Sequence, residues 1–224
     1  MKLTIPSLLL LVALQFTTKA QVYDVSLADS NKAIELYNLA IENNKNSRVS
    51  EAFEQFAEAI SVDSTFRKPY LQLYTVSMSD SSFVDQSINI LQKSKKIFQQ
   101  DDEICYYLGE MYKAKGEVKR AMAEYSMAIA YSKMNGEDFS LVPHYYLNRA
   151  NICLAKNMIS TAVLDYTYAL NLKPDYGVAF ANRGICFFKM GETEAACKDW
   201  QKAFDMGIVQ VEEYLEENCR EKLN

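Results

Sequence analysis

The chain is poor in the residues that punctuate loops: only 7 of its 224 residues are glycine and 4 are proline. A β-sandwich, a barrel or a glycine-rich nucleotide-binding fold needs many tight turns, which this composition does not supply. His144 is the one histidine, so a centre built on several histidines is excluded. The five cysteines include no Cys-x-x-Cys pair, which weakens zinc and thioredoxin-like readings. Gly-x-Ser-x-Gly, a Walker-type phosphate loop and a dinucleotide fingerprint are all missing. Positive charge is in deficit, with 24 Lys and Arg against 29 Asp and Glu and a net charge of −5. That balance argues against a nucleic-acid-binding surface. What remains is 49% hydrophobic and 24% charged, too apolar for a disordered chain and sufficient for a packed core. Long helices with few breakers are expected.

Residues 1–20 read MKLTIPSLLLLVALQFTTKA. Lys2 gives a positive start, Leu8 to Leu14 an uncharged apolar core, and Thr18 and Ala20 small residues before a cut at Gln21. This is the pattern of a secretory signal peptide, and the run is short for a membrane span. The alternative is an uncleaved N-terminal anchor. Gln21 in place of cysteine disfavours a lipoprotein. Cleavage predicts an exported mature chain, periplasmic or extracellular, with no membrane insertion, because no later apolar run approaches membrane length.

The remainder is periodic. Asn148-Arg149-Ala150 matches Asn182-Arg183-Gly184 at an offset of 34, and Ala162, Tyr166 and Ala169 match Ala196, Trp200 and Ala203 at the same offset. Leu108-Gly109, Tyr112, Ala121, Tyr125 and Ala128 fit this frame, as do Leu39-Ala40, Ala52, Phe56 and Ala59. The frame divides the chain into a lead-in at 21–32 and units at 33–66, 67–100, 102–135, 143–176 and 177–210. A closing helix at 211–224 follows. Gly116 and Gly191 fall where the first helix of a unit must reverse, with Asn157 in the same place in the fourth unit.

These positions resemble the tetratricopeptide repeat (TPR) family, whose unit pairs a small residue at position 8 with alanine at 20. An aromatic stands at 24, alanine at 27 and often proline at 32, here Pro174. The resemblance implies an all-α, right-handed superhelical solenoid of antiparallel helix pairs with a C-terminal capping helix. The export signal and the chain ends are similar to exported bacterial proteins, in a Bacteroidetes-like style. Unit 67–100 is degenerate, with Tyr74, Gln86 and Lys93 at positions that should be small or apolar. Either its helices pack further apart, the preferred reading, or the frame shifts there. The segment 136–142 is an insertion, read as an edge loop in preference to a binding loop.

No acid–base or nucleophile set converges along the sequence, and no enzyme, cofactor or metal is expected. His144 beside Pro143 reads as a surface or capping residue. Cys105 and Cys153 sit at aromatic positions of the repeat and read as small buried hydrophobes. The resemblance places a concave groove on the first helix of each unit. Its candidate residues are Tyr37, Asn38 and Ile41 in the first unit, Leu71 and Gln72 in the second, and Tyr106 and Tyr107 in the third. Leu147, Asn148 and Asn151 follow in the fourth unit, and Asn182 and Ile185 in the fifth. Side-chain amides spaced along such a groove can hold the backbone of an extended peptide. The recurring asparagines have a second explanation, tying one repeat to the next. The branch of the family that clamps a C-terminal carboxylate needs lysine at position 5, and none stands there.

The expected function is an exported, non-catalytic scaffold that binds a protein segment or extended peptide. The alternative is a structural subunit of a cell-envelope assembly that uses its convex face or ends. Neither reading involves nucleic acid. Cys197 and Cys219 lie equally far from Ile208, and the resemblance to exported repeat proteins adds weight to a disulfide between them. Cys186 with Cys197, symmetric about Gly191, is the rival, and all thiols reduced is the third possibility.

Overall fold

Helix ends in this chain are set largely by local chemistry. Ser26 caps the first helix by accepting a hydrogen bond from the Asp29 amide at 3.1 Å. Asp101 does the same for Ile104 at 3.0 Å. Gly116 (φ 74°), Gly191 (φ 81°) and Asn157 (φ 58°) take the left-handed conformation at three reversals, and Ser47 (φ 59°) takes it at a fourth. The computed structural model describes residues 24–219; the signal segment 1–20 lies outside the described residues.

Among the described residues there are eleven α-helices and no strand. They are α1 (Leu27–Lys45), α2 (Val49–Val62), α3 (Arg67–Ser79), α4 (Val84–Ser94), α5 (Asp102–Ala114) and α6 (Val118–Asn135). Then follow α7 (Val142–Ala155), α8 (Ile159–Leu172), α9 (Gly177–Lys189), α10 (Thr193–Asp205) and α11 (Glu212–Asn218). No helix among them is long and apolar enough to cross a membrane.

Successive helices pack as antiparallel pairs, most closely α1/α2, α5/α6, α7/α8 and α9/α10. Small residues make this approach possible. Ala40, Ala52, Ala121, Ala150, Ala162 and Ala196 are fully buried at the crossings, and the rings of Phe56, Tyr125, Tyr166 and Trp200 fill the space beside them. A Cβ on Gly109 would lie 2.5 Å from the Tyr125 ring, and one on Gly184 would lie 2.5 Å from Trp200.

A partly buried clamp recurs with the repeat. Arg149 donates bidentately to Asp165 at 2.8 and 2.8 Å, and Arg183 to Asp199 at 2.7 and 2.8 Å. Each guanidinium also reaches back to the preceding pair, to Ser126 at 3.3 Å and Thr167 at 3.0 Å. Each arginine therefore joins three helices.

The second pair shows both departures weighed for the degenerate unit. Its helices do pack less closely than the others, but the frame also shifts. Gln86 and Lys93 are exposed and Ile90 half-buried, while Ser87, Ser94 and Leu91, one residue later in each case, are buried. A 3-10 turn at Ser81–Phe83 lengthens the connection. One residue corresponds to about 100° of helix rotation, so α4 presents a different stripe. Its close contact to α3 is Ser87, whose hydroxyl accepts from Ser77 at 2.6 Å.

α6 runs for 18 residues to Asn135, and the insertion follows it from Gly136 (φ 107°), which caps the helix. Glu137 is anchored there, accepting from Tyr146 at 2.9 Å and Tyr168 at 2.6 Å. At the other end, α11 covers the last pair. Tyr214 stacks on Trp200 with centroids 4.9 Å apart, and Cys219 is disulfide-bonded to Cys197 with a Cα–Cα distance of 5.6 Å. Cys105, Cys153 and Cys186 are buried thiols.

Candidate functional site

The side of the stack on which neighbouring pairs approach each other is the inside of its curve. First helices meet there, α3 with α5 and α7 with α9, whereas the second helices of neighbouring pairs make no comparably close contact. The inner face is therefore built from α1, α3, α5, α7 and α9.

The candidate groove residues fall on this face with unequal access. Asn38 is exposed, and Tyr37, Ile41, Leu71, Gln72, Tyr107, Asn148, Asn151, Asn182 and Ile185 are half-buried. Tyr106 and Leu147 are buried, each 8% exposed, and serve mainly as wall. Tyr37 packs edge-on to Phe66 at 5.4 Å and tilted to Phe56 at 5.8 Å. The amides divide into two groups. Asn151 accepts from Tyr166 at 2.7 Å and from Asn182 at 2.9 Å, tying α7, α8 and α9 together. Asn38 and Gln72 have no hydrogen-bond partner among the described residues, so their donors and acceptors face water.

Tyrosines gather at the centre of the face. Tyr74 of α3 stacks on Tyr107 of α5 at 4.8 Å, and Tyr106 lies 5.0 Å from Tyr145 of α7. Tyr107 donates to Glu103 at 3.1 Å, and Glu103 also pairs with Arg67 at 2.8 Å. His144 is not a cap: it is half-buried, with Nδ1 2.7 Å from the Tyr176 hydroxyl. Burial, with the nearby Lys173, lowers its pKa and favours the neutral ring. Glu110 stands at the focus of the cluster. Burial and then its charge raise the pKa of Tyr74, Tyr106 and Tyr125, and that of Tyr176 to about 12.

No sequence-family profile matches the chain. A curated relative, the DnaJ homolog subfamily C member 7 homolog of Dictyostelium discoideum, is 40% identical over 58 residues, covering 26% of this chain and 11% of that protein. Solved structures match far more of the chain. MamA superposes with a TM-score of 0.66 at 16% identity over 81% of this chain and 95% of that one. YrrB, described as a TPR protein with an unusual peptide-binding site, gives 0.59 at 18% identity over 78% and 86%. The pilF protein of Pseudomonas aeruginosa gives 0.66 at 11% identity over 80% and 78%. The fold is TPR-like. At these identities the likeness concerns architecture alone.

Within the TPR-like frame, the sequence pattern passes over Tyr74, Glu110, Lys113 and Tyr176. Tyr74 counts there as a violation of the small-residue rule, yet it is the ring that spans α3 and α5. Glu110 and Lys113 carry ordinary surface residue types at helical spacing, and only the neighbouring helices give them a role. Tyr176 lies in the turn before α9, outside the first-helix positions altogether.

Proposed function

We propose that the chain is a non-catalytic interaction scaffold whose inner face binds an extended segment of a protein partner. The observation that carries this is the line of accessible amides and rings on successive first helices, from Asn38 and Gln72 through Tyr107 to Asn148. Amides can pair with both the N–H and the C=O of a peptide backbone, and the rings and Ile41, Leu71 and Ile185 supply apolar contact. The architecture shared with YrrB, described as having a peptide-binding site, supports the same reading. We also propose export. Residues 1–20 carry the signal pattern, and a Cys197–Cys219 disulfide suits an oxidising compartment.

The test is binding of extended peptides from a displayed random library to the mature chain, followed by the double substitution Asn38→Ala with Gln72→Ala. Neither side chain has a partner in the fold, so stability should hold while affinity falls. Peptide binding that survives both changes, with helicity intact, would move the site away from the inner face. The convex face of an envelope assembly is then the reading to pursue, with Leu164 on α8, 70% exposed, as its most open apolar residue among the second helices.

A further inference from the structure

A groove that only holds peptide backbone leaves three features at the centre of the inner face unused. The first is Glu110. Its carboxylate accepts from the Tyr125 hydroxyl, and both of its oxygens lie 2.8 Å from Lys113 Nζ. The second is Lys113 itself. Its ammonium also donates to Asn148 of α7 at 3.3 Å, although its side chain is 45% exposed. The chain thus places an ammonium of its own, on a flexible stem, among acceptors from two helices. The third is a pair of phenols. Tyr106 is 8% exposed, and its hydroxyl has no partner among the described residues. No unpartnered side-chain polar atom is fully enclosed among the described residues, so this hydroxyl keeps some access to solvent. The Tyr74 hydroxyl is likewise without a partner.

We propose that Glu110, the Tyr74 and Tyr106 hydroxyls and the Asn148 amide form a subsite for a basic side chain, lysine or arginine, of the bound segment, and that Lys113 fills it when no segment is present. The proposal rests on the groove reading and adds the chemistry of the ligand. Glu110 is a partly buried carboxylate, 12% exposed, and such a group demands a cation. Glu103, the other acid of this face, is already held by Arg67 and Tyr107. Lys113 is a solvated surface lysine that a ligand cation can displace at little cost, after which its own charge returns to water. Phenol and amide oxygens accept the ammonium or guanidinium protons that the carboxylate does not reach. An acidic side chain in the same place would face Glu110 directly, so the subsite discriminates by repulsion as well as attraction. The net charge of −5 favours encounter with a basic segment.

Peptides selected from a random displayed library on the mature chain provide the test. The expected result is a lysine or arginine enriched at one position among uncharged neighbours. Replacing that residue by glutamine should weaken binding about tenfold, as should Glu110→Gln, which keeps an acceptor for Tyr125. Lys113→Met should tighten binding several-fold, because the internal competitor is gone. Selected peptides without a basic position, or acidic peptides lost on Lys113→Met, overturn the subsite and leave the groove reading standing. No selected peptide at all overturns the groove reading and the subsite with it. If Glu110→Gln fails to fold, the Lys113→Met protein with the lysine-to-glutamine peptide pair still decides the matter.

Discussion

Gly184 has no room for a methyl group. A Cβ there meets the Trp200 ring, as one on Gly109 meets Tyr125, so α10 would have to move in the first case and α6 in the second. Gly184→Ala should destabilise the protein by about 1–3 kcal/mol, measured by urea unfolding. The second pair offers a sharper contrast. Ser87→Leu, at a fully buried contact to Ser77, should cost a similar amount, whereas Gln86→Leu at an exposed site should stay within about 0.5 kcal/mol. Equal effects at 86 and 87 would contradict the one-residue shift. Asp199→Ala leaves the half-buried Arg183 without its carboxylate and should cost about 3 kcal/mol. At this scale the repeat residues were legible, because alanine, glycine and ring recur at a fixed offset. The Arg149–Asp165 and Arg183–Asp199 clamps recur at the same offset, yet a charged pair in sequence does not announce that it is buried.

Among the elements, α4 is the shortest second helix of the five pairs, with 11 residues. It also makes less contact with its partner than α2, α6, α8 or α10 makes. Few buried contacts mean easy local opening, so its amides should exchange hydrogen faster than those of α6 and α10. Equal protection would show that the looser packing carries no energetic weight. The closing helix α11 has only seven residues and is too short to persist alone. The disulfide between residues 22 apart holds it to α10. In the chain-entropy picture such a loop contributes about 3 kcal/mol. Cys219→Ser should therefore lower Tm by several degrees and expose the Trp200 environment, a loss visible in its fluorescence. An unchanged Tm would mean that Val211 and Tyr214 hold the cap without the covalent bond.

Across the whole molecule, tyrosine couples pH to folding. Burial raises the hydroxyl pKa of Tyr106, Tyr125, Tyr145 and Tyr166 above the usual value, and Tyr176 reaches about 12. For a group whose folded pKa is raised, the native state is fully favoured below the unfolded value. That advantage is lost as pH rises from the unfolded value toward the folded one. The unfolded value for tyrosine is about 10. Helicity should therefore fall in the same step as tyrosinate absorbance grows, beginning near pH 10. Bulk tyrosinate formation in a chain that is still helical would contradict the burial of these rings.

The sequence by itself determined the helical class, the period, the places where helix pairs reverse and which small residues let backbones approach. Each of these is a local or strictly repeated property: breaker scarcity, a left-handed turn at Gly116 or Gly191, an alanine facing a ring. It also narrowed the cysteine pairing to alternatives without choosing among them, since equal distance from a turn says nothing about where Cβ points. Only the tertiary structure decided that Cys219 bonds Cys197, that α4 turns by one residue to bury Ser87, and that Asn151 and Asn182 are bonded to each other. It alone brought Tyr74, Tyr106 and Asn148 around Glu110 from three different helices. The physical reason is the same in each case. These arrangements depend on side-chain direction across separate helices, and a one-residue rotation, invisible in a residue count, exchanges what is buried for what faces the groove.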